Sequence, residues 1–294
     1  MTYWHILVGA GESPANPVIR HVAPSDLLNA LGRGIDDFVA MPSHAVFLCV
    51  IYPLIGILLI GLTLGYSMLP MAFPIAAGYA LVGPFAAIGL YELSRRREAG
   101  LDSSSLHAFD VLHSPSLGAI VALGFLLMVA FLLWLVVAQA IYITEFGYVL
   151  PPSIGQFLYD VFGSPAGWKL IIVGIGVGFL FAALVLSIGV VSFPLLLDRD
   201  VGAAVALLTS IRVVVNNPVT MALWGFIVAA LLVIGSIPLL LGLTVVMPVL
   251  GHATWHLYRK AVEPDPNPHP DYQPRMKPPK YAADFPSALF PTKR

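Results

Sequence analysis

From Leu117 to Tyr142 the chain runs without a single Asp, Glu, Lys or Arg. A helix needs about 20 such residues to cross a hydrocarbon core about 30 Å thick. Only helices and closed barrels satisfy their own backbone hydrogen bonds in lipid. Five further runs share this character: His44 to Tyr66, Met71 to Tyr91, Leu170 to Leu197, Val219 to Ser236 and Pro238 to Tyr258. With 58% hydrophobic and 11% charged residues, a 294-residue chain exposes more apolar surface than a water-soluble domain can hide. The expected class is an all-α polytopic membrane protein with six transmembrane helices arranged as three hairpins.

Each hairpin follows a shorter, more polar segment. In Pro24 to Pro42, Leu27, Leu28, Leu31, Ile35, Phe38 and Val39 form one helical stripe, with Asp26, Asn29, Arg33, Asp36 and Asp37 off it. Pro24 or Ser25 suits the start of that helix. In Leu101 to Pro115, Leu106, Phe109 and Leu112 recur in steps of three, with Asp102 or Ser103 placed to cap. In Asp198 to Pro218, Val201, Ala204, Val205, Leu208, Ile211 and Val215 form the stripe. These patterns predict three amphipathic helices lying in the membrane interface. A proline junction ends each one: Met41-Pro42, Ser114-Pro115 and Asn217-Pro218. Each hairpin also carries a proline in its second arm, at Pro84, Pro194 or Pro248, where a lost backbone hydrogen bond predicts a kink.

The chain thus divides into an N-terminal segment 1–23, three hairpin units at 24–98, 99–200 and 201–262, and a tail at 263–294. The likeness among the units suggests duplication. Ile6 to Ala10 is too short for a cleaved signal, and no Lys or Arg precedes it, so the first span is expected to direct insertion. All Lys and Arg except Lys169 fall on one side of the expected spans. Cytoplasmic loops carry the Lys/Arg excess, which predicts both termini and all three amphipathic helices on the cytoplasmic side of a bacterial inner membrane.

Candidate chemistry is sparse. A net charge of −1 gives no field for nucleic acid. The single cysteine, Cys49, excludes an intrachain disulfide and a two-cysteine metal site. Central charges in a span cost about 2.5–3.5 kcal/mol each and so mark ion paths where they are kept. The spans hold only Gln139 and, near an outer end, Glu145. Gly174, Gly176 and Gly178 form GIGVG inside a span, which suits close helix packing rather than phosphate binding. No Walker, HExxH or CxxC pattern occurs.

His252 and His256, in GHATWHLYRK, are the candidate cofactor-binding residues. Their i, i+4 spacing puts both on one helix face, where they could share a metal or ligate two haems. Their position beside Trp255, Tyr258 and Arg259 reads instead as an aromatic belt at the interface. His44, His107 and His113 fall at the same level, as interfacial residues or hydrogen-bonding groups at helix ends. No cofactor and no metal are expected. The tail is rich in Pro and Lys, and its composition fits both an unfolded segment and a strap. In the second case Tyr272, Tyr281, Phe285 and Phe290 are the candidate partner-binding residues.

Four stretches carry a family resemblance: DDFVAMPSHAVFL, GPFAAIGLYELSRRRE, SFPLLLDRDV with the later NNPVTMALWG, and MPVLGHATWHLYRK. Together they make the chain, from Val22 to Glu263, resemble a proteobacterial family of predicted integral membrane proteins of unknown function, some of whose members are labelled cytochrome c oxidase subunits. The resemblance carries over no functional residue. A catalytic oxidase subunit needs several mid-membrane histidines and a copper-carrying one needs paired cysteines, so the label implies an accessory or assembly role. The expected function is a non-catalytic accessory subunit of a membrane complex, with a small-molecule or lipid transporter as the alternative. The expected partners are the lipid bilayer and other subunits of a respiratory complex.

Overall fold

The computed structural model describes residues 17–41, 54, 56–58, 61, 68–81, 83–238 and 240–265. The expected first span, Cys49, His44 and the tail aromatics Tyr272, Tyr281, Phe285 and Phe290 lie outside the described residues, apart from a few helical positions between 54 and 61. The regular elements of the described residues are all helices, with one isolated antiparallel bridge, Ile19 to Val262.

Among the described residues three helices are long and apolar enough to span a bilayer. The first is α5 (Leu117–Phe146), reached through α1 (Pro24–Ala40), α2 (Ala72–Leu81), α3 (Gly83–Ala86) and α4 (Ile88–Glu98). The second joins α7 (Pro165–Gly189) to α8 (Ser192–Asp198), after the short α6 (Ile154–Gly163). The third is α10 (Pro218–Ser236), preceded by α9 (Gly202–Asn216) and followed by α11 (Leu243–Ala261). The chain is an integral membrane protein whose described residues form helices and no strand.

The long helices meet through small residues and rings. On α5, Ile120, Leu123, Leu127, Ala130, Trp134 and Ala138 are buried at steps of three and four, one stripe of a straight helix. Trp134 fills the space between α2 and α7. Its indole donates to the Pro74 carbonyl at 2.7 Å, and its ring lies 5.6 Å from that of Phe181. Gly178 makes room for it, since a Cβ there would stand 3.1 Å from the indole. Gly178 is thus the member of GIGVG used in packing, while Gly174 and Gly176 face open space.

Several expected boundaries move. Among the described residues of the second expected span, the helix is interrupted at Ala87, between α3 and α4 and three residues after Pro84. Its last part does not stop at Glu92, because α4 carries Arg95, Arg96 and Arg97 in its final turn, where cations suit the negative end of the helix dipole. The expected polar loop after α5 holds the helix α6, capped by the Ser153 hydroxyl accepting from Gln156 N at 3.1 Å. The sixth expected span begins five residues late: turns occupy the stretch before α11, which then runs on to Ala261.

All three amphipathic segments form, and each leaves several of its bulky apolar residues exposed. On α1 the buried face is Leu27, Ala30, Gly34 and Asp37; of the expected stripe only Leu27 is fully buried, and Leu28 stays 70% exposed, with Ile35 and Val39 exposed too. Segment Ser105–His113 is a 3-10 helix. Three residues per turn align Leu106, Phe109 and Leu112 on one edge, and all three are exposed. On α9 the buried residues are Ala203, Ala206, Thr209, Ser210 and Val213, whereas Leu208 and Val215 are exposed.

The ends of these helices are tied into one layer. Ser116, just before α5, donates to Asp200 beyond α8 at 3.3 Å. Asn217, between α9 and α10, accepts from Val22 N at 2.8 Å and donates to the Arg20 carbonyl at 3.3 Å. Arg20 N in turn donates to the Ala261 carbonyl at the end of α11, at 2.8 Å. The start of α5, the end of α8, the start of α10 and the end of α11 therefore share one side of the molecule.

Candidate functional site

Within this layer α1, α4 and α11 close around one carboxylate. The helix spacing that buries Leu27, Ala30 and Gly34 brings Asp37 to the same face, where it is 4% exposed. Gly34 is what allows the approach: a Cβ there would stand 2.7 Å from Ala253 N and 2.8 Å from the Val249 carbonyl oxygen. From α4, Ser94 Oγ donates to Asp37 Oδ2 at 2.6 Å and Arg97 Nη1 pairs with Oδ1. From α11, His256 Nε2 lies 2.9 Å from Asp37 Oδ2, and His252 Nδ1 lies 2.8 Å from Ser94 Oγ. Four side chains from two helices thus gather round Asp37 of a third.

Burial alone pushes the Asp37 carboxyl upward. The hydrogen bonds from His256 and Ser94 and the charge of the two histidines outweigh it, holding the group below its ordinary value. His252 Nε2 and His256 Nδ1, also buried, have no hydrogen-bond partner. The other nitrogen of each ring is already turned to Ser94 or Asp37. Among the described residues no group of three or more His, Cys, Asp or Glu is placed to hold a metal ion.

Two further clamps stand beside this cluster. Glu98 of α4 accepts from Trp255 Nε1 at 2.8 Å and from Arg259 Nε at 3.0 Å, and the Arg259 guanidinium lies 5.8 Å from the centre of the Trp255 ring. Asp198 at the end of α8 accepts from the Tyr258 hydroxyl at 2.5 Å and from Arg259 at 3.4 Å. The far side of α4 is tied down as well. Arg96 donates to Asp110 at 3.2 Å and to the Asp102 carbonyl, while Glu92 pairs with Arg95 at 2.8 Å.

The structure corrects the reading of His252 and His256 as an aromatic belt. His252 is fully buried, and the pair faces α1 and α4 rather than the membrane surface. His107 is held by Asp110 at 2.7 Å and Asp102 at 3.1 Å, and His113 is exposed. Sequence reasoning missed Asp37, Ser94 and Arg97. Asp37 falls off the bulky apolar stripe of α1, yet it stands three residues beyond Gly34, and Ala30-Gly34 is the small-residue face on which helices approach closely.

Residues 72–198, from α2 to α8, match the model of a family described as predicted integral membrane protein (DUF2189). Ser94 and Arg97 lie inside that stretch, whereas Asp37, His252 and His256 lie outside it. No curated protein and no solved structure matches the chain.

Proposed function

We propose that this chain is a non-catalytic accessory or assembly subunit of a membrane complex. It would sit in a bacterial inner membrane with both termini and the Lys/Arg-bearing layer on the cytoplasmic side, and with α1, the 3-10 helix and α9 in the interface. The observation that most supports this reading is where the polar groups go. Asp37, Glu98 and Asp198 are each engaged by donors from other helices, while the amphipathic segments and long helices present Leu, Ile, Val and Phe outward. A body built this way offers surface to neighbouring helices and lipid.

Of the small-molecule or lipid transporter alternative, the polar-solute form has less support. The groove between α4, α7, α10 and α11 has a volume of about 100 Å³ and is lined by residues such as Pro84, Trp224, Met247 and Leu250, which give a polar solute little to bind. A respiratory complex is the first partner to test, because the family resemblance carries an oxidase label. The tail would then act as a strap through Tyr272, Tyr281, Phe285 and Phe290.

Affinity purification in mild detergent, followed by mass spectrometry and an optical spectrum, tests the reading. Stoichiometric partner subunits are expected, and their loss on truncation after Asp265 would assign the tail. A monodisperse preparation of this chain alone, together with unaltered respiration in a deletion strain, would overturn it. A reporter fused after Arg294 tests the orientation.

A further inference from the structure

We propose that Asp37, Ser94, His252 and His256 form a buried proton-binding site, and that proton uptake there releases α1 from α4 and α11. The inference does not depend on the accessory-subunit reading. It begins with a count of hydrogens. Ser94 Oγ gives its one hydrogen to Asp37 Oδ2, so the hydrogen in its contact with His252 comes from Nδ1. His256 gives its Nε2 hydrogen to the same carboxylate oxygen. In the neutral rings, His252 Nε2 and His256 Nδ1 are then bare lone pairs, and these are the two buried, unpartnered side-chain atoms among the described residues. Each is a basic atom with a vacant place for one proton.

The charges around the pair decide what that proton does. From α1 the rings face Asp37, and from α4 they face Ser94 and Arg97. On α11 itself they have each other, with Arg259 and Lys260 beyond. Arg259 is taken by Glu98 and Asp198, and Lys260 by Asp26 at 3.3 Å. Arg33 and Asp36 of α1 are exposed. Helix α10 carries no ionisable side chain. With neutral rings, Asp37 and Arg97 cancel. A proton on either ring leaves one net positive charge in a buried cluster, and on His256 it also creates an N–H with no acceptor, which is costly away from water. The two rings share one carboxylate neighbourhood, so a positive charge on one opposes a positive charge on the other. Acid therefore drives the cluster open, and α1, held there by Gly34 and Asp37, is the element set free.

Hydrogen exchange on the full chain in lipid nanodiscs tests this. After correction for intrinsic rates, amides of α1 are expected to exchange about tenfold faster at pH 4.5 than at pH 7.5, with α5 unchanged. A His252→Gln, His256→Gln double variant is expected to reduce that ratio below about threefold. No pH response in the wild-type α1, an equal response in α5, or a full response in the double variant would each overturn the proposal. Should the double variant fail to fold, nitrogen NMR of the wild-type imidazoles decides. Two rings that titrate together with the α1 change support the proposal, and rings that hold one protonation state across the range overturn it.

Discussion

Gly34 of α1 and Ala253 of α11 meet backbone to backbone, so closely that a Cβ on Gly34 would stand 2.7 Å from the Ala253 nitrogen. The atoms in the way are main-chain atoms of a buried helix and have no rotamer to change. Gly34→Ala is therefore expected to destabilise the protein by about 1–3 kcal/mol, the usual cost of overpacking. Gly32, two residues away on α1, has nothing within 4 Å of the point where a Cβ would stand. Gly32→Ala should be neutral or stabilising by up to about 1 kcal/mol, the gain from removing glycine from a helix. Thermal unfolding of the two variants in one detergent checks the pair, and equal midpoints would refute the close approach.

Removing the Asp37 carboxylate leaves Ser94, His256 and Arg97 without their shared acceptor. Asp37→Ala should cost about 2–3 kcal/mol, the lower end for breaking a buried pair, because the partly exposed Arg97 guanidinium can turn to water. Asp37→Asn keeps the shape and one carbonyl oxygen, so it should cost less. The comparison is again one of unfolding midpoints, and a larger loss for Asn than for Ala would contradict the assignment of Asp37 as acceptor to both Ser94 and His256.

The same carboxylate makes stability depend on pH in a defined direction. Its folded pKa lies below the ordinary 3.8, so the unfolded chain takes up the proton first as pH falls. The contribution is whole above about pH 5, shrinks as the unfolded carboxyl protonates, and is gone below the folded pKa. Unfolding midpoints of wild type and Asp37→Asn should therefore converge as pH falls below about 4. A gap that stays constant down to pH 3 would refute the argument.

The long helices α5, α7 and α10 were legible because an uninterrupted apolar run has few other structures open to it in lipid. The segment around Leu106, Phe109 and Leu112 was legible too, but its period of three was that of a 3-10 helix and not of an α-helix. What could not be read was which face of α1 or α9 turns inward. On a soluble helix the bulky apolar stripe goes to the core, whereas here Leu28, Ile35, Leu208 and Val215 stay outside and Ala30, Gly34, Ala203 and Ala206 go in. Where lipid is available to the apolar side chains, close backbone packing and polar pairing decide the interior. The histidines at 252 and 256 were found by their spacing. Their partners Asp37 and Ser94 are 215 and 158 residues from His252, and no local pattern links them.

Asn217 offers a test of the layer at its other edge. Its carboxamide oxygen accepts from Val22 N at 2.8 Å, and its nitrogen donates to the Val213 carbonyl at 3.1 Å and to the Arg20 carbonyl at 3.3 Å. Thr220 adds a donor to the Val22 carbonyl at 2.9 Å. These bonds hold the segment before α1 against the α9–α10 junction, with Arg20 half-exposed beside Glu263. In Asn217→Ala the Val22 N–H stays buried without its acceptor, at a cost of about 1–3 kcal/mol. The segment should then open locally, and trypsin should cut after Arg20 about tenfold faster than in the wild type. Asn217→Asp keeps the acceptor but turns a carboxylate oxygen toward two carbonyls, so it should open the segment further than alanine does. Cleavage after Arg20 at the wild-type rate in both variants would show that Asn217 does not hold the segment before α1, and that the bridge from Ile19 to Val262 suffices alone.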